Sequence, residues 1–194
     1  MFSQNNNGGY MKKIFIILII LIVMSGCSLN INNIDNTPTK QVEKYLNNYQ
    51  KLTDDVVDDL ELVIEKEKLF NKDQKNMYKD IMKRNFQNMV YTIKDETVNG
   101  NNAMVEVEIT VYDHYKVIKL SDNYLNNHMS EFLKDDGTLD LEKFTDYKLK
   151  NMKKNTDKVK YTIYFNLTRD KNNKWKVDEV SEFDEEKILG IYEY

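Results

Sequence analysis

The chain has 194 residues, of which 28 are basic and 32 acidic, with a mean hydropathy of −0.67, two histidines and one cysteine. An acidic balance of this kind disfavours nucleic acid or anionic lipid as a partner through the net field of the protein. A single cysteine excludes any disulfide within the chain and any soft-ligand metal centre built on thiolates.

Residues 1–10 are polar and asparagine-rich and carry no charge. An export signal opens with a methionine close to its lysines, as Met11 does before Lys12 and Lys13, so Met11 is the expected translation start and Met1 the alternative. Ile14 to Met24 is an unbroken apolar run, too short for a bilayer that takes roughly 20 apolar residues to cross. Small residues, Ser25 and Gly26, then precede Cys27 where a peptidase needs room. Residues 1–26 therefore read as a signal peptide. Ser25-Gly26-Cys27 resembles the lipobox of bacterial lipoproteins, departing from it only at Met24, where leucine is usual. The resemblance implies a diacylglyceryl group on Cys27, cleavage before it, and a place on the outer face of the cytoplasmic membrane or the cell surface. Two acyl chains would hold the protein firmly where one holds only marginally. Cleavage removes Lys12 and Lys13 and no acid, leaving 26 basic against 32 acidic side chains, a formal charge of −6.

Residues 27–36 read as a lipidated tether, and 37–194 as one α+β domain of a size that supports a real core. Thr37 is the expected cap of a first helix, with Pro38 at its first position and Val42, Tyr45, Leu46 and Tyr49 along one face. A second helix is expected from Thr53, with Asp54 and Asp55 at its positive end and a stripe of Val56, Leu60, Val63 and Ile64. A third runs from about Asp73 to Gln87 and carries Met77, Tyr78, Ile81, Met82 and Phe86.

The period then changes from 3.6 to 2. Met89, Tyr91 and Ile93 alternate with Val90, Thr92 and Lys94, Asn99-Gly100 signals a turn, and Val105, Val107, Ile109 and Val111 give the return strand one dry face. Val159, Tyr161, Ile163, Phe165 and Leu167 repeat the pattern before a polar turn and Trp175 and Val177. Between the hairpins, Ser121 is the expected cap of a helix bearing Leu125, Met129, Phe132 and Leu133, and Asp140 the cap of another bearing Leu141, Phe144 and Met152. A short acidic helix is expected from Asp184. The expected fold is α+β, with helices on one face of a curved antiparallel sheet of at least four strands and a helical excursion between two hairpins.

Thr37-Pro38, Val42-Glu43-Lys44-Tyr45-Leu46 and Lys174-Trp175-Lys176-Val177 resemble a group of small lipoproteins of low-GC Gram-positive bacteria. Domains of that group are similar to the nuclear transport factor two-like, or cystatin-like, α+β fold. The resemblance implies a fold and an address, with no settled activity; the excursion from Leu120 to Met152 departs from a minimal cone.

Chemistry is sparse. Asp135 to Asp140 has the look of a calcium loop, but with Gly137 at the sixth position Phe132, Lys134 and Lys143 occupy places that need oxygen ligands, so a turn capped by Asp140 is expected instead. His114 and His128 lack partners at metal-ligand spacing, and neither a nucleophile elbow nor a phosphate-binding glycine loop is present. Neither metal nor other cofactor is expected. Asp113 and His114 are the only catalytic candidates, a general acid or base pair if the fold turns both into a cavity. Tyr45, Tyr49, Tyr91, Tyr161 and Trp175 are candidates for a pocket lining, since such side chains join an apolar wall to a hydrogen-bonding tip. The expected function is a non-catalytic binding or adaptor module, held at the membrane through Cys27, for a small-molecule, peptide or envelope-protein partner. A hydrolase or isomerase using Asp113 and His114, and a purely structural envelope protein, are the alternatives. The sequence sets no oligomeric state.

Overall fold

The first turn forms where the chain gains a cap and a preset φ together. In the computed structural model, which describes residues 36–194, helix α1 spans Pro38–Lys51 and the Thr37 hydroxyl accepts the Lys40 N–H at 3.2 Å. Val42, Leu46 and Tyr49 are buried along its inner face. The helix ends at Leu52, which takes a left-handed φ of 51° so that its N–H can reach Asn48 and Tyr49 carbonyls. A side chain in that region costs about 1 kcal/mol, and Leu52 offsets this by packing on the core.

Helix α2 (Asp54–Lys66) follows at once and buries Val56, Leu60 and Ile64. Thr53 makes no side-chain capping bond, so Asp54 and Asp55 carry the electrostatic support at this end. Helix α3 (Lys72–Gln87) opens with a capping box: Asn71 and Gln74 satisfy each other's backbone donors. That cap lies two residues before the expected start.

Strands β1 (Val90–Asn99) and β2 (Asn102–Tyr112) form the first hairpin, and β3 (Lys158–Arg169) and β4 (Trp175–Val177) the second. All neighbours are antiparallel, in the order β1-β2-β3-β4. The first turn is centred one residue later than the Asn-Gly signal suggests. Asn99 pairs with Asn102, leaving Gly100 with φ 61° and Asn101 outside the positive region, the signs of a II′ turn. On the dry face of the central pair, Val105 lies opposite Phe165, Val107 opposite Ile163, and Ile109 opposite Tyr161. Cross-strand contacts of this kind are the unit of sheet stabilisation. In β1 a register shift between Ile93 and Asp95 interrupts the ladder, and beyond it the strand is exposed on both faces.

The excursion corrects the expected helix start. Helix α4 spans His114–Asn127 and is capped by Asp113, whose Oδ1 accepts the Lys116 N–H at 2.9 Å. Ser121 sits inside it, buried, its hydroxyl donating back to the Val117 carbonyl at 2.8 Å. His114, Val117, Ser121 and Leu125 form the buried stripe, and two polar members concealed it. Met129–Phe132 is a single 3₁₀ turn that buries Phe132 and leaves Met129 and Leu133 exposed. Helix α5 (Leu141–Lys154) is capped by Asp140 through the Lys143 N–H, as expected.

Helix α6 (Glu182–Leu189) starts two residues before Asp184, because Ser181 provides the cap. Most buried side chains form one core between the helices and the sheet, while Leu125, Phe132 and Phe144 form a second, smaller one within the excursion.

Candidate functional site

Asp113 ends β2 and begins α4, which fixes its chemistry. Its Oδ1 caps the helix, and its Oδ2 accepts the Tyr194 hydroxyl at 2.7 Å. Its backbone is also engaged, the N–H donating to Asp157 and the carbonyl accepting from the Asn155 amide. His114 is fully buried, and neither ring nitrogen has a hydrogen-bond partner among the described residues. The two candidates are thus adjacent without forming a dyad. Burial, and next the charge of Arg84, push the His114 pKa down to about 3, so the ring is neutral at physiological pH. Arg84 lies 4.3 Å from the centre of the Tyr112 ring and donates to the carbonyls of Met152, Lys153 and Asn155, closing the C-terminus of α5.

Among the pocket candidates, the structure joins Tyr45 and Tyr49. Their hydroxyls lie 3.2 Å apart, one helical turn from each other, with Tyr45 against Phe165 and Tyr49 against Phe86. Burial raises the Tyr45 pKa to about 12 and that of Tyr49 still more clearly. The charges of Glu185 on α6 and Asp59 on α2 act on both rings. Glu185 is itself pushed up to about 7, by burial first and then by Glu179 and Glu182.

Tyr91, Tyr161 and Trp175 have neighbours of their own. The Tyr91 hydroxyl donates to Asn47 at 3.1 Å and the Tyr161 hydroxyl to the Tyr192 carbonyl at 3.2 Å. Trp175 is buried beneath the Arg169 guanidinium, 4.4 Å from its ring. Sequence reasoning missed Glu185, Tyr192 and Tyr194. The density of acids from Glu179 to Glu186 was the one available signal for Glu185; the two tyrosines gave none, since their partners lie far back in the chain.

In the loop after the 3₁₀ turn, Asp136 Oδ1 accepts from both the backbone and the hydroxyl of Thr138, and Gly137 takes a φ of 78°. Among the described residues there is no group of three or more His, Cys, Asp or Glu side chains placed to hold a metal ion. No helix among them is long and apolar enough to cross a membrane. Cys27, the expected signal peptide and the expected tether up to Asp35 lie outside the described residues.

Among the described residues, fold and contacts together define an α+β protein with six α-helices and an open four-stranded antiparallel sheet. Neither a family model nor a curated protein matches the chain. A solved structure of a Bacillus subtilis protein, ycdA, provisionally described as a lipoprotein, overlays on 80% of this chain and 56% of its own, with 11% identity and a TM-score of 0.49. The chain therefore spans just over half the length of that protein, and the likeness bears no weight for function.

Proposed function

We propose that this chain is a lipid-anchored envelope lipoprotein whose α+β domain serves as a non-catalytic binding or adaptor module. The observation that carries the address is the junction at Cys27, where an apolar run and small residues meet the sole cysteine. The first described residue, Asn36, stands only nine positions further on, a short link between lipid and domain. The non-catalytic reading draws support from Asp113, whose two carboxylate oxygens are both taken by structural donors, and from His114, which lies away from solvent and is not bonded to it. A binding role draws support from the Tyr45–Tyr49 pair, two hydroxyls 3.2 Å apart whose rings lie against Phe165 and Phe86.

The address is tested by expressing the full chain and Cys27→Ser in a bacterium fed labelled palmitate. The wild type is expected to carry label and sediment with membranes, and the variant to do neither. A variant that is still processed, labelled and retained overturns the reading.

A further inference from the structure

The first described residue is tied to the β3–β4 turn. Asn36 Nδ2 donates to the Asn173 carbonyl at 2.9 Å, and its Oδ1 accepts the Trp175 N–H at 2.9 Å. The β1–β2 turn lies at the same end of the sheet, since the Arg169 N–H donates to the Asn101 carbonyl at 2.8 Å. At the other end, Tyr112 pairs with Lys158, and there the helical excursion leaves and rejoins the sheet. The nine steps from Cys27 to Asn36 cannot span more than about 30 Å, from the reach of an extended chain. The β3–β4 turn is thereby kept near whatever holds Cys27.

That turn has the opposite sign to the rest of the protein. Residues 169–176 contain Arg169, Lys171, Lys174 and Lys176 against one acid, Asp170. Asp170 is turned into the loop, where its Oδ1 accepts the Asn172 and Lys174 N–H groups and its Oδ2 lies 3.7 Å from Lys176. Further acids stand beyond it: Glu96, which accepts from the Thr39 backbone and hydroxyl, Asp178, which accepts from the Thr168 hydroxyl, and the exposed Glu179. Lys171 is exposed and forms no ion pair among the described residues. At physiological salt, charges further off than about 8 Å are screened. A surface met by this turn therefore senses its local cations and not the acidic total.

We propose, on the reading that Cys27 carries lipid, that the β3–β4 turn rests on anionic lipid headgroups through Lys171, Lys174, Lys176 and Arg169 and stands the sheet on end. The helical excursion then joins the end of the sheet that points away from the bilayer. The occupant is the membrane itself, because the short link keeps this cationic turn within about 30 Å of the lipid on Cys27.

Trp175 is the only tryptophan and pairs with Arg169 at the base of the turn, so its fluorescence reports this end of the sheet. The lipidated full chain would be reconstituted into vesicles of phosphatidylcholine alone or with phosphatidylglycerol, each containing dansyl-labelled headgroups. Energy transfer from Trp175 is expected to be about twofold greater on the anionic vesicles, given the attraction of polybasic segments to such surfaces. It should fall to the neutral level in about 0.5 M salt and in the double variant Lys171→Glu, Lys174→Glu, whose circular dichroism should match the wild type. Equal transfer on both vesicles, unchanged by salt or by the double variant, overturns the proposal. Flotation with neutral vesicles reads the anchor separately. If the protein floats while transfer ignores lipid charge, only the orientation fails; if it does not float, the anchor reading fails and takes the orientation with it.

Discussion

Tyr194 donates its hydroxyl to Asp113 Oδ2 at 2.7 Å, across 81 residues of sequence, while the other oxygen of the same carboxylate caps α4. One side chain thus ties the segment after α6 to the entrance of the excursion. The Tyr115 N–H, which donates to the Gly190 carbonyl, closes the same junction from the backbone side. The hydrogen bond to Asp113, and next burial, raise the Tyr194 pKa to about 12, so the hydroxyl stays a donor throughout the physiological range.

The two bonds to Asp113 predict unequal losses. Tyr194→Phe is expected to cost about 0.5–1 kcal/mol, since the bond is made near the surface. Asp113→Ala removes a helix cap as well and is expected to cost about 2 kcal/mol. Urea unfolding of both single variants and the double should give a coupling near the smaller value. A coupling of zero would mean that the bond does not form in solution.

His114 predicts an acid-sensitive fold. Its folded pKa of about 3 lies below its ordinary value of 6.5, so between those values the unfolded chain binds a proton that the native one does not. Stability from this group is whole above 6.5 and drains as the pH falls, by at most about 1.4 kcal/mol per pH unit. Two buried ring nitrogens without partners also cost the fold at neutral pH. His114→Leu is therefore expected to be neutral or to stabilise by about 1 kcal/mol at pH 7, and to flatten the pH dependence below 6.5. Thermal melts of both proteins between pH 4 and 8 measure this, and a strongly destabilised variant with an unchanged acid limb would refute it.

These two residues also show where the sequence could be read and where it could not. Alternation from Val105 to Val111 and from Val159 to Leu167 gave the sheet its dry face directly, because a period of 2 with β-branched residues has few other solutions. Thr37 and Asp140 were legible as caps, each standing just before an apolar period. Asp113 is not: the helix it starts buries His114 and Ser121, so its stripe is interrupted by polar residues and Ser121 reads as a cap. The Tyr45–Tyr49 pair was visible from its four-residue spacing. Glu185 was not, since its charge acts on that pair from far along the chain and leaves no local trace.

Glu185 predicts a pH dependence of opposite sign. Its carboxyl is raised from 4.5 to about 7, chiefly by burial, so the native state holds a proton across that window which the unfolded state has lost. Its contribution is present below 4.5 and disappears as the pH rises through 7. Glu185→Gln keeps the neutral shape and removes the titration. The variant is expected to gain on the wild type from pH 5 to about 7 and to level off above it, measured as the difference in urea midpoint. A difference that does not change with pH would show that the group titrates normally. Between 4.5 and 6.5 the Glu185 and His114 contributions oppose each other, so the single variants should reveal slopes that the wild type conceals.

Gly190 predicts the sharpest loss. It ends α6 with a φ of 72°, and a Cβ built on it would run into the Tyr112 carbonyl oxygen, a backbone atom held by the end of β2. Neither the left-handed backbone nor the space admits a side chain. Gly190→Ala is expected to cost at least about 2 kcal/mol, the left-handed penalty of about 1 kcal/mol plus the displacement of β2 or of the segment after α6. Asn85 makes this junction stiffer: its amide donates to the Ile188 carbonyl and its oxygen accepts the Tyr112 N–H, so α3, α6 and β2 cannot part independently. Hydrogen exchange should accordingly show faster exchange at Tyr112 and Tyr115 in Gly190→Ala, while the Lys40 amide capped by Thr37 stays as in the wild type. Uniform acceleration across the molecule would instead mean that the junction opens only when the whole domain unfolds.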